Sequence, residues 1–102
     1  MPRVPHIAVP SEKLADFCRK HQIRKLSFFG SVLRDDFGPE SDVDVLVEFV
    51  PGYGAGLITL AGLEEELSAI LGRKADLNTA GFLSPYFRDR VLGEAYPQYV
   101  QA

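Results

Sequence analysis

A chain of 102 residues with 46% hydrophobic and 25% charged residues has the composition of an ordinary globular domain, which excludes disordered and fibrous proteins. We expect one domain over residues 1–102, because this length suffices for one hydrophobic core and leaves no room for a second. The formal net charge of −3 argues against a broad basic surface, so no direct nucleic-acid binding is predicted, and no apolar stretch approaches the roughly 20 residues of a membrane span.

The predicted elements begin after an irregular, proline-containing arm of residues 1–10. Ser11 is typical of a helix N-cap, and a first helix is predicted to about Gln22. The apolar stripe of this helix consists of Leu14, Phe17, Cys18 and His21. The β-rich segment 23–29 is predicted as a strand that stops at a Gly-Ser pair, after which a short helix follows with the serine as its cap.

Cys18 is the only cysteine, so no internal disulfide can form. Its place on the apolar side of the first helix favours a buried thiol over a nucleophile. The N-terminal segment also lacks the apolar core of a signal peptide. We therefore expect a cytoplasmic protein.

The second half of the chain predicts two strands and two helices. Residues 42–49 alternate acids with valines and form the second strand. A helix with an apolar stripe then ends at Gly72, its three consecutive acids (64–66) being read as a solvated face. A short third strand over 74–79 and a last helix from Ser84 follow, and the tail (97–102) is unassigned. The order α-β-α-β-α-β-α predicts an α/β (α+β) fold with a small mixed sheet.

Two aspartates of the second strand indicate chemistry. Asp42 and Asp44 are two residues apart, so both lie on one face of the strand while the valines enter the core. If the first two strands are antiparallel neighbours, Gly30 and Ser31 lie beside the acids. Gly30 lets an anion approach the backbone, and Ser31 offers a hydroxyl at a helix start, as phosphate sites do. Mg²⁺, which binds carboxylate and phosphate oxygens, would bring these groups together.

Asp76 is an isolated acid in the third strand, between Ala75 and Leu77. If the preceding helix is a crossover connection, the third strand runs parallel to the second, and Asp76 reaches the same end of the sheet. There it can ligate metal or accept a proton from an attacking hydroxyl.

The stretch FFGSVLRDDFGPESDVDVLVEF together with LGRKADLNT resembles the signature of the DNA polymerase β-like nucleotidyltransferase superfamily. More narrowly, it resembles the minimal nucleotidyltransferase (MNT) antitoxins, the partners of HEPN-domain ribonuclease toxins. The resemblance covers about residues 12–95 and implies the polymerase β-like fold. It also implies transfer of AMP from ATP, with two Mg²⁺ ions, to a tyrosine of the toxin.

The resemblance carries two sets of residues over to this chain. The nucleotide- and phosphate-binding set is Gly30, Ser31 and Arg34. The catalytic set, which also ligates the metal, is Asp42, Asp44 and Asp76. Leu33 and Asp35 depart from the small residue and the glycine that many relatives have around the arginine, which bears on the electrostatics of the phosphate loop.

Other interpretations stay open at this point. The paired acids can be a strand cap, Asp76 a structural acid and Arg34 an ordinary surface cation. The chain can also be an inactive antitoxin that masks its toxin by forming a complex. A transferase that modifies an antibiotic or RNA would need an acceptor-binding domain, for which the chain has no room. An assay of AMP transfer from ATP separates the first two functions.

Overall fold

The computed structural model describes residues 5, 7–35, 37–52, 57–79, 83–86 and 88–101, and helices and strands alternate along them. In chain order the elements are α1 (Ser11–Lys20), β1 (Ile23–Phe29), a 3₁₀ turn (Gly30–Leu33), β2 (Val43–Phe49), α2 (Leu57–Leu71), β3 (Ala75–Asn78), α3 (Arg88–Glu94) and β4 (Tyr96–Val100). Residues 1–4 and 6 of the predicted irregular arm, and residue 102 of the unassigned tail, lie outside the described residues. No helix within the described part of the chain is long and apolar enough to cross a bilayer.

The four strands form one mixed sheet in the order β3-β2-β1-β4. β1 pairs antiparallel with both β2 and β4, and β2 pairs parallel with β3. The two arrangements on which the sequence argument depended, antiparallel β1–β2 and parallel β2–β3, are therefore confirmed. They bring the end of β1 and the starts of β2 and β3 to one end of the sheet.

The hydrophobic core lies between one face of the sheet and helices α1 and α2, which contact each other as well as the strands. From β2, Val43, Val45 and Val47 are at most 1% exposed, as their alternation predicts. The helices contribute Phe17 and Leu67, also fully buried. Each such side chain adds roughly 1.5–3 kcal/mol by leaving water. This core holds the polar face of β2 in a fixed position.

Several element boundaries differ slightly from the prediction. Ser11 is the first residue of α1, and the capping position belongs to Pro10, whose carbonyl oxygen accepts the N–H of Leu14 at 2.9 Å. Ser31 likewise lies inside the 3₁₀ turn, and Phe29 occupies the position before it. Gly72 follows the last residue of α2 with a φ of +71°, so its predicted role as the residue that ends the helix is confirmed.

Strand β4 was missed by the sequence analysis, which assigned no structure from Pro97 onward. It extends the predicted order by one strand and covers β1, with Leu26 opposite Tyr99. Pro97 has no N–H for a sheet hydrogen bond, so its presence in the sequence argues against a strand at this position. Here it is tolerated because β4 is an edge strand, with one side outside the ladder. The preceding α3 buries none of its residues, and its Leu92 is 47% exposed.

Candidate active site

Parallel pairing of β2 with β3 places two of the predicted acids opposite each other. In this register Asp44 pairs with Asp76, between the apolar pairs Val43 with Ala75 and Val45 with Leu77. Paired residues of neighbouring strands direct their side chains to the same face, about 4.8 Å apart at the backbone. The two carboxylates are therefore neighbours on the polar face of the sheet, and both are half-buried.

Gly30 lies against one of these carboxylates. Asp44 pairs with Phe29 at the end of β1, so the next residue, Gly30, turns directly over it. Gly30 has a φ of +75°, and a Cβ at this position would overlap the Oδ2 atom of Asp44. Glycine is thus required both for the backbone conformation and for the room it leaves to the carboxylate.

The charge of Asp44 is poorly compensated. Its pKa is raised above the ordinary value, first by burial and then by the negative charges of Asp76 and Asp42, while the positive charge of Arg34 acts in the opposite direction. Raised pKa values of this origin are typical of functional sites, because the fold keeps like charges together at a cost. A cation or a proton at this position would relieve the repulsion.

The remaining predicted residues surround this pair. Ser31 Oγ donates to the carbonyl oxygen of Asp42 at 3.4 Å, which links the 3₁₀ turn to the segment before β2. The Asp42 carboxylate lies 3.8 Å from Lys74 Nζ in a half-exposed ion pair. Arg34 follows the turn, is exposed, and donates its backbone N–H to the carbonyl oxygen of Ser31 at 2.9 Å. All six predicted residues therefore belong to one end of the sheet.

A cavity of about 460 Å³ opens beside the 3₁₀ turn, between that turn and the α3–β4 connection. Its volume is in the range of small-molecule sites. Gly30 lines the cavity and also lies against the carboxylate of Asp44, so the cavity is one residue away from the acid pair, although none of the three predicted acids is among the described lining residues. The walls are formed by Gly30, Leu33, Arg34, Arg90, Gly93, Glu94, Ala95, Tyr96 and Pro97.

Comparison with known proteins identifies the family. A family model described as a nucleotidyltransferase domain matches residues 11–96. The chain belongs to the nucleotidyltransferase family. This nucleotidyltransferase is 39% identical over 83 residues to MJ0435 of Methanocaldococcus jannaschii, which is named as a protein adenylyltransferase. The aligned region covers 81% of this chain and 87% of the relative. It is 36% identical over 74 residues to protein adenylyltransferase MntA of Thermococcus cleftensis, covering 71% of each chain.

The fold is shared with a solved toxin–antitoxin complex. The structure of a tri-AMPylated Shewanella oneidensis HEPN toxin in complex with an MNT antitoxin matches with a TM-score of 0.65 at 18% identity, over 89% of this chain and 70% of that one. At this identity the match concerns the fold alone. The solved structure of a minimal nucleotidyltransferase matches with a TM-score of 0.70 at 34% identity, over 85% of this chain and 87% of that one. The small mixed sheet of this nucleotidyltransferase is therefore the minimal nucleotidyltransferase fold, as the sequence resemblance implied.

The donor set of the nucleotidyltransferase fits Mg²⁺ only in part. Carboxylate oxygens are suitable donors, and the crowding at Asp44 favours a cation. Among the described residues, however, no three His, Cys, Asp or Glu side chains are arranged to hold a metal ion by themselves, and Asp42 faces Lys74. Mg²⁺ in nucleotide sites usually combines one or two carboxylates with phosphate oxygens of the substrate. The residues present fit that mode of binding.

Sequence reasoning missed the residues that α3 and β4 contribute to the cavity. Arg90 and Glu94 are four residues apart on α3, and Arg90 Nε donates to Glu94 Oε1 at 3.3 Å. Tyr96 begins β4 and is half-buried against the core. The spacing of Arg90 and Glu94 was visible in the sequence. Their place beside Gly30 was not, because it depends on the pairing of β4 with β1.

Proposed function

We propose that the chain transfers AMP from ATP, with Mg²⁺, to a tyrosine of a HEPN-family ribonuclease toxin and thereby neutralises it. The observation that carries this proposal is the pairing of Asp44 with Asp76, with Gly30 lying against Asp44 and lining a cavity of about 460 Å³. The names of the relatives support adenylyl transfer, and the AMPylated HEPN toxin in the related complex supports the acceptor. A cytoplasmic location and the absence of direct nucleic-acid binding stay predictions.

Each proposed role follows from the position of the residue. The Gly30 turn and Arg34 face the cavity and would bind the triphosphate, since they offer backbone N–H groups and a cation. Asp42, Asp44 and Asp76 would hold Mg²⁺ together with phosphate oxygens of the nucleotide. The resemblance implies two ions. When bound, Mg²⁺ neutralises the phosphates and stabilises the charge that develops during transfer.

The reaction is a displacement at the α-phosphorus of ATP. The tyrosine oxygen forms the new bond to phosphorus, the bond to the bridging oxygen breaks, and pyrophosphate leaves. Asp76 is the acid we propose to orient the attacking hydroxyl and accept its proton, because it lies on β3, whereas Asp44 lies on β2 and Asp42 directly precedes β2. Asp44, beneath Gly30, stays ionised when a cation is bound.

The test uses the purified protein and, as acceptor, a purified HEPN-family ribonuclease toxin. Both are incubated with Mg²⁺ and ATP labelled at the α-phosphate, and label transfer is measured together with the intact mass of the acceptor. We expect the mass to increase by adenylyl groups and the labelled peptide to contain tyrosine. Asp44→Asn should abolish labelling, whereas Asp16→Asn, at an exposed acid of α1 paired with Arg19, should not. Equal labelling by wild type and Asp44→Asn would contradict the proposal.

One observation favours a second candidate, an inactive antitoxin that masks the toxin by binding. The carboxylate of Asp42, a proposed metal ligand, lies 3.8 Å from Lys74 Nζ in an ion pair within the chain. The same variants separate the two functions. If Asp44→Asn inhibits the ribonuclease as well as wild type does, at equal concentration and without ATP, then binding is sufficient and transfer is not the mode of action.

A further inference from the structure

Arg73 lies between α2 and β3 and reaches across to the loop that precedes β2. Its Nη2 atom donates to the carbonyl oxygen of Gly38 and, at 3.3 Å, to that of Ser41. The guanidinium carbon also lies 4.2 Å from the centre of the Phe37 ring, in a cation–π contact. One side chain therefore contacts the loop at three points.

The loop held by Arg73 is a closed turn that leads directly into the acid-bearing strand. The N–H of Gly38 donates to Ser41 Oγ, and the N–H of Ser41 donates to the carbonyl oxygen of Gly38, both at 3.1 Å. The two carbonyl groups that Arg73 binds are therefore the two ends of this turn. Ser41 is followed immediately by Asp42, so moving the turn moves the carboxylate.

Arg73 is itself held by the backbone around it. Its N–H donates to the carbonyl oxygen of Ser68 at 3.2 Å, after the left-handed residue Gly72. Ser68 Oγ in turn accepts the N–H of Ala75 at 2.9 Å, at the start of β3. On the other side, the N–H of Val43 donates to the carbonyl oxygen of Lys74, also at 2.9 Å. The segment 72–75, which leads into β3, is thus fixed to α2 and to β2.

We infer that Arg73 is a positioning residue, which sets the place of Asp42 relative to Asp44 and Asp76. Its anchored backbone lies next to the strand that carries Asp76, and its guanidinium holds the turn that carries Asp42. This inference rests on the proposed function, since positioning matters only if the acids act together. A displacement of about 1 Å at such a site can cost 10²-fold in rate.

The contacts require a guanidinium and more than a positive charge. A planar group with several N–H donors can bind two carbonyl oxygens and stack on a ring at once, whereas the ammonium of lysine is a compact charge on a flexible stem. Arg73→Lys therefore keeps the charge and loses part of the geometry. Arg73→Gln loses both the charge and most of the contacts.

The experiment compares wild type, Arg73→Gln, Arg73→Lys and the control Arg19→Gln, whose arginine is exposed on α1 and paired with Asp16. Melting curves establish which variants are folded. Hydrogen exchange is followed at the amides of residues 38–43, and AMP transfer is measured as separate kcat and KM values for ATP. If Arg73→Gln does not fold, Arg73→Lys carries the test.

We expect Arg73→Gln to raise exchange in 38–43 by about tenfold or more and to lower kcat by about tenfold or more, with KM for ATP, measured at saturating Mg²⁺, changed by less than about twofold. KM should be preserved because Arg73 is not part of the cavity wall. Arg73→Lys should be intermediate, and Arg19→Gln should match wild type. Unchanged exchange, or faster exchange with an unchanged kcat, overturns the inference.

A failure of the proposed function is recognised separately, because wild type would then transfer no AMP. Mn²⁺ binding, followed by the loss of the free-ion signal in electron paramagnetic resonance, decides the inference in that case. Positioning of the acids by Arg73 predicts weaker Mn²⁺ binding by Arg73→Gln than by wild type. Equal binding by the two proteins overturns the inference.

Discussion

Two groups of three acids in this chain have opposite surroundings. On α2, Glu64 Oε2 accepts the backbone N–H of Leu77 at 2.8 Å, and Glu66 Oε1 lies 3.1 Å from His21 Nε2. Burial acts to raise the pKa of Glu66, but the hydrogen bonds from His21 and Lys20 outweigh it and the pKa is lowered. At the end of the sheet, burial and like charges instead raise the pKa of Asp44.

The comparison separates acids that stabilise the fold from acids that we propose to bind a ligand. Glu64 and Glu66 reach partners within the chain, so their charge contributes to the fold. Asp44 is crowded by other acids, so its negative charge lowers the stability of the protein unless a cation is bound beside it. The sequence analysis read residues 64–66 as a solvated face, which holds for the exposed Glu65. It is wrong for Glu64 and Glu66, which bond to β3 and α1.

Replacing Asp44 with asparagine should have the largest effect and tests directly whether the two groups of acids differ in role. We expect Asp44→Asn to abolish AMP transfer and to leave the melting temperature of the ligand-free protein level or higher, because it removes a proposed metal ligand and also the charge repulsion. The matched change Glu66→Gln should do the reverse, lowering the melting temperature while transfer persists. Single-turnover transfer and thermal melting measure both effects. If Asp44→Asn transferred AMP at the wild-type rate, the sheet acids would not differ from the α2 acids in their role in transfer.

Asp76→Asn tests whether the three acids at the end of the sheet have different roles. If Asp76 accepts the proton of the attacking hydroxyl, transfer should slow by roughly 10²-fold or more, the usual scale for a lost general base. Binding of Mg²⁺ and ATP should be largely kept, because Asp42 and Asp44 remain as proposed metal ligands. ATP affinity and single-turnover transfer on this variant provide the test. If stability falls by about 1 kcal/mol while turnover is nearly unchanged, Asp76 is instead a structural acid.

Removal of divalent cations tests whether the sheet acids are uncompensated. We expect ATP to bind at least about tenfold more weakly in EDTA than in Mg²⁺, because a triphosphate is repelled by clustered carboxylates unless a cation bridges them. Calorimetric titration of ATP in both buffers measures the difference. Equal affinities would show that the acids do not need a cation to accept the nucleotide.

The smallest expected effect concerns the pH dependence of stability from Glu66. A carboxyl group whose pKa is lowered in the folded state stabilises the protein above its unfolded pKa, here near 4.5, and this contribution is lost as the pH falls through the lower, folded value. The pair with His21 and Lys20 is partly exposed, so its contribution is in the range of ~0.2–1 kcal/mol. Urea unfolding of wild type and Glu66→Gln should differ at pH 6 and converge at strongly acidic pH. If the difference in unfolding free energy stayed constant across this pH range, the ionisation of Glu66 would not be its cause.

The sequence was sufficient to predict the acidic end of the sheet, because local patterns encode it. Alternation along 42–49 predicts which face carries Asp44, and the placement of Gly30 follows from a strand that stops at a glycine. The parallel register of Asp76 follows from a crossover helix of ordinary length. Each step uses neighbours in sequence or a strong topological rule.

The features that the sequence did not predict depend on contacts between distant segments. Arg73 appears in the sequence as one basic residue after a helix, and its acceptors in the 38–41 turn are backbone groups that no side-chain pattern reveals. Glu64 likewise bonds to the N–H of Leu77 only because α2 packs on β3. Tyr96 and its strand are hidden for the same reason, and by the proline that follows.

The pairing of β4 with β1 also has a consequence for synthesis of the protein on the ribosome. β1 is an inner strand of the sheet, but one of its two neighbours is the last strand of the described chain. Until that strand emerges, Leu26 and Phe28 belong to an open edge that can pair with other chains. We therefore expect nascent chains arrested before Tyr96 to aggregate or recruit chaperones, and full-length chains to escape this as soon as β4 docks.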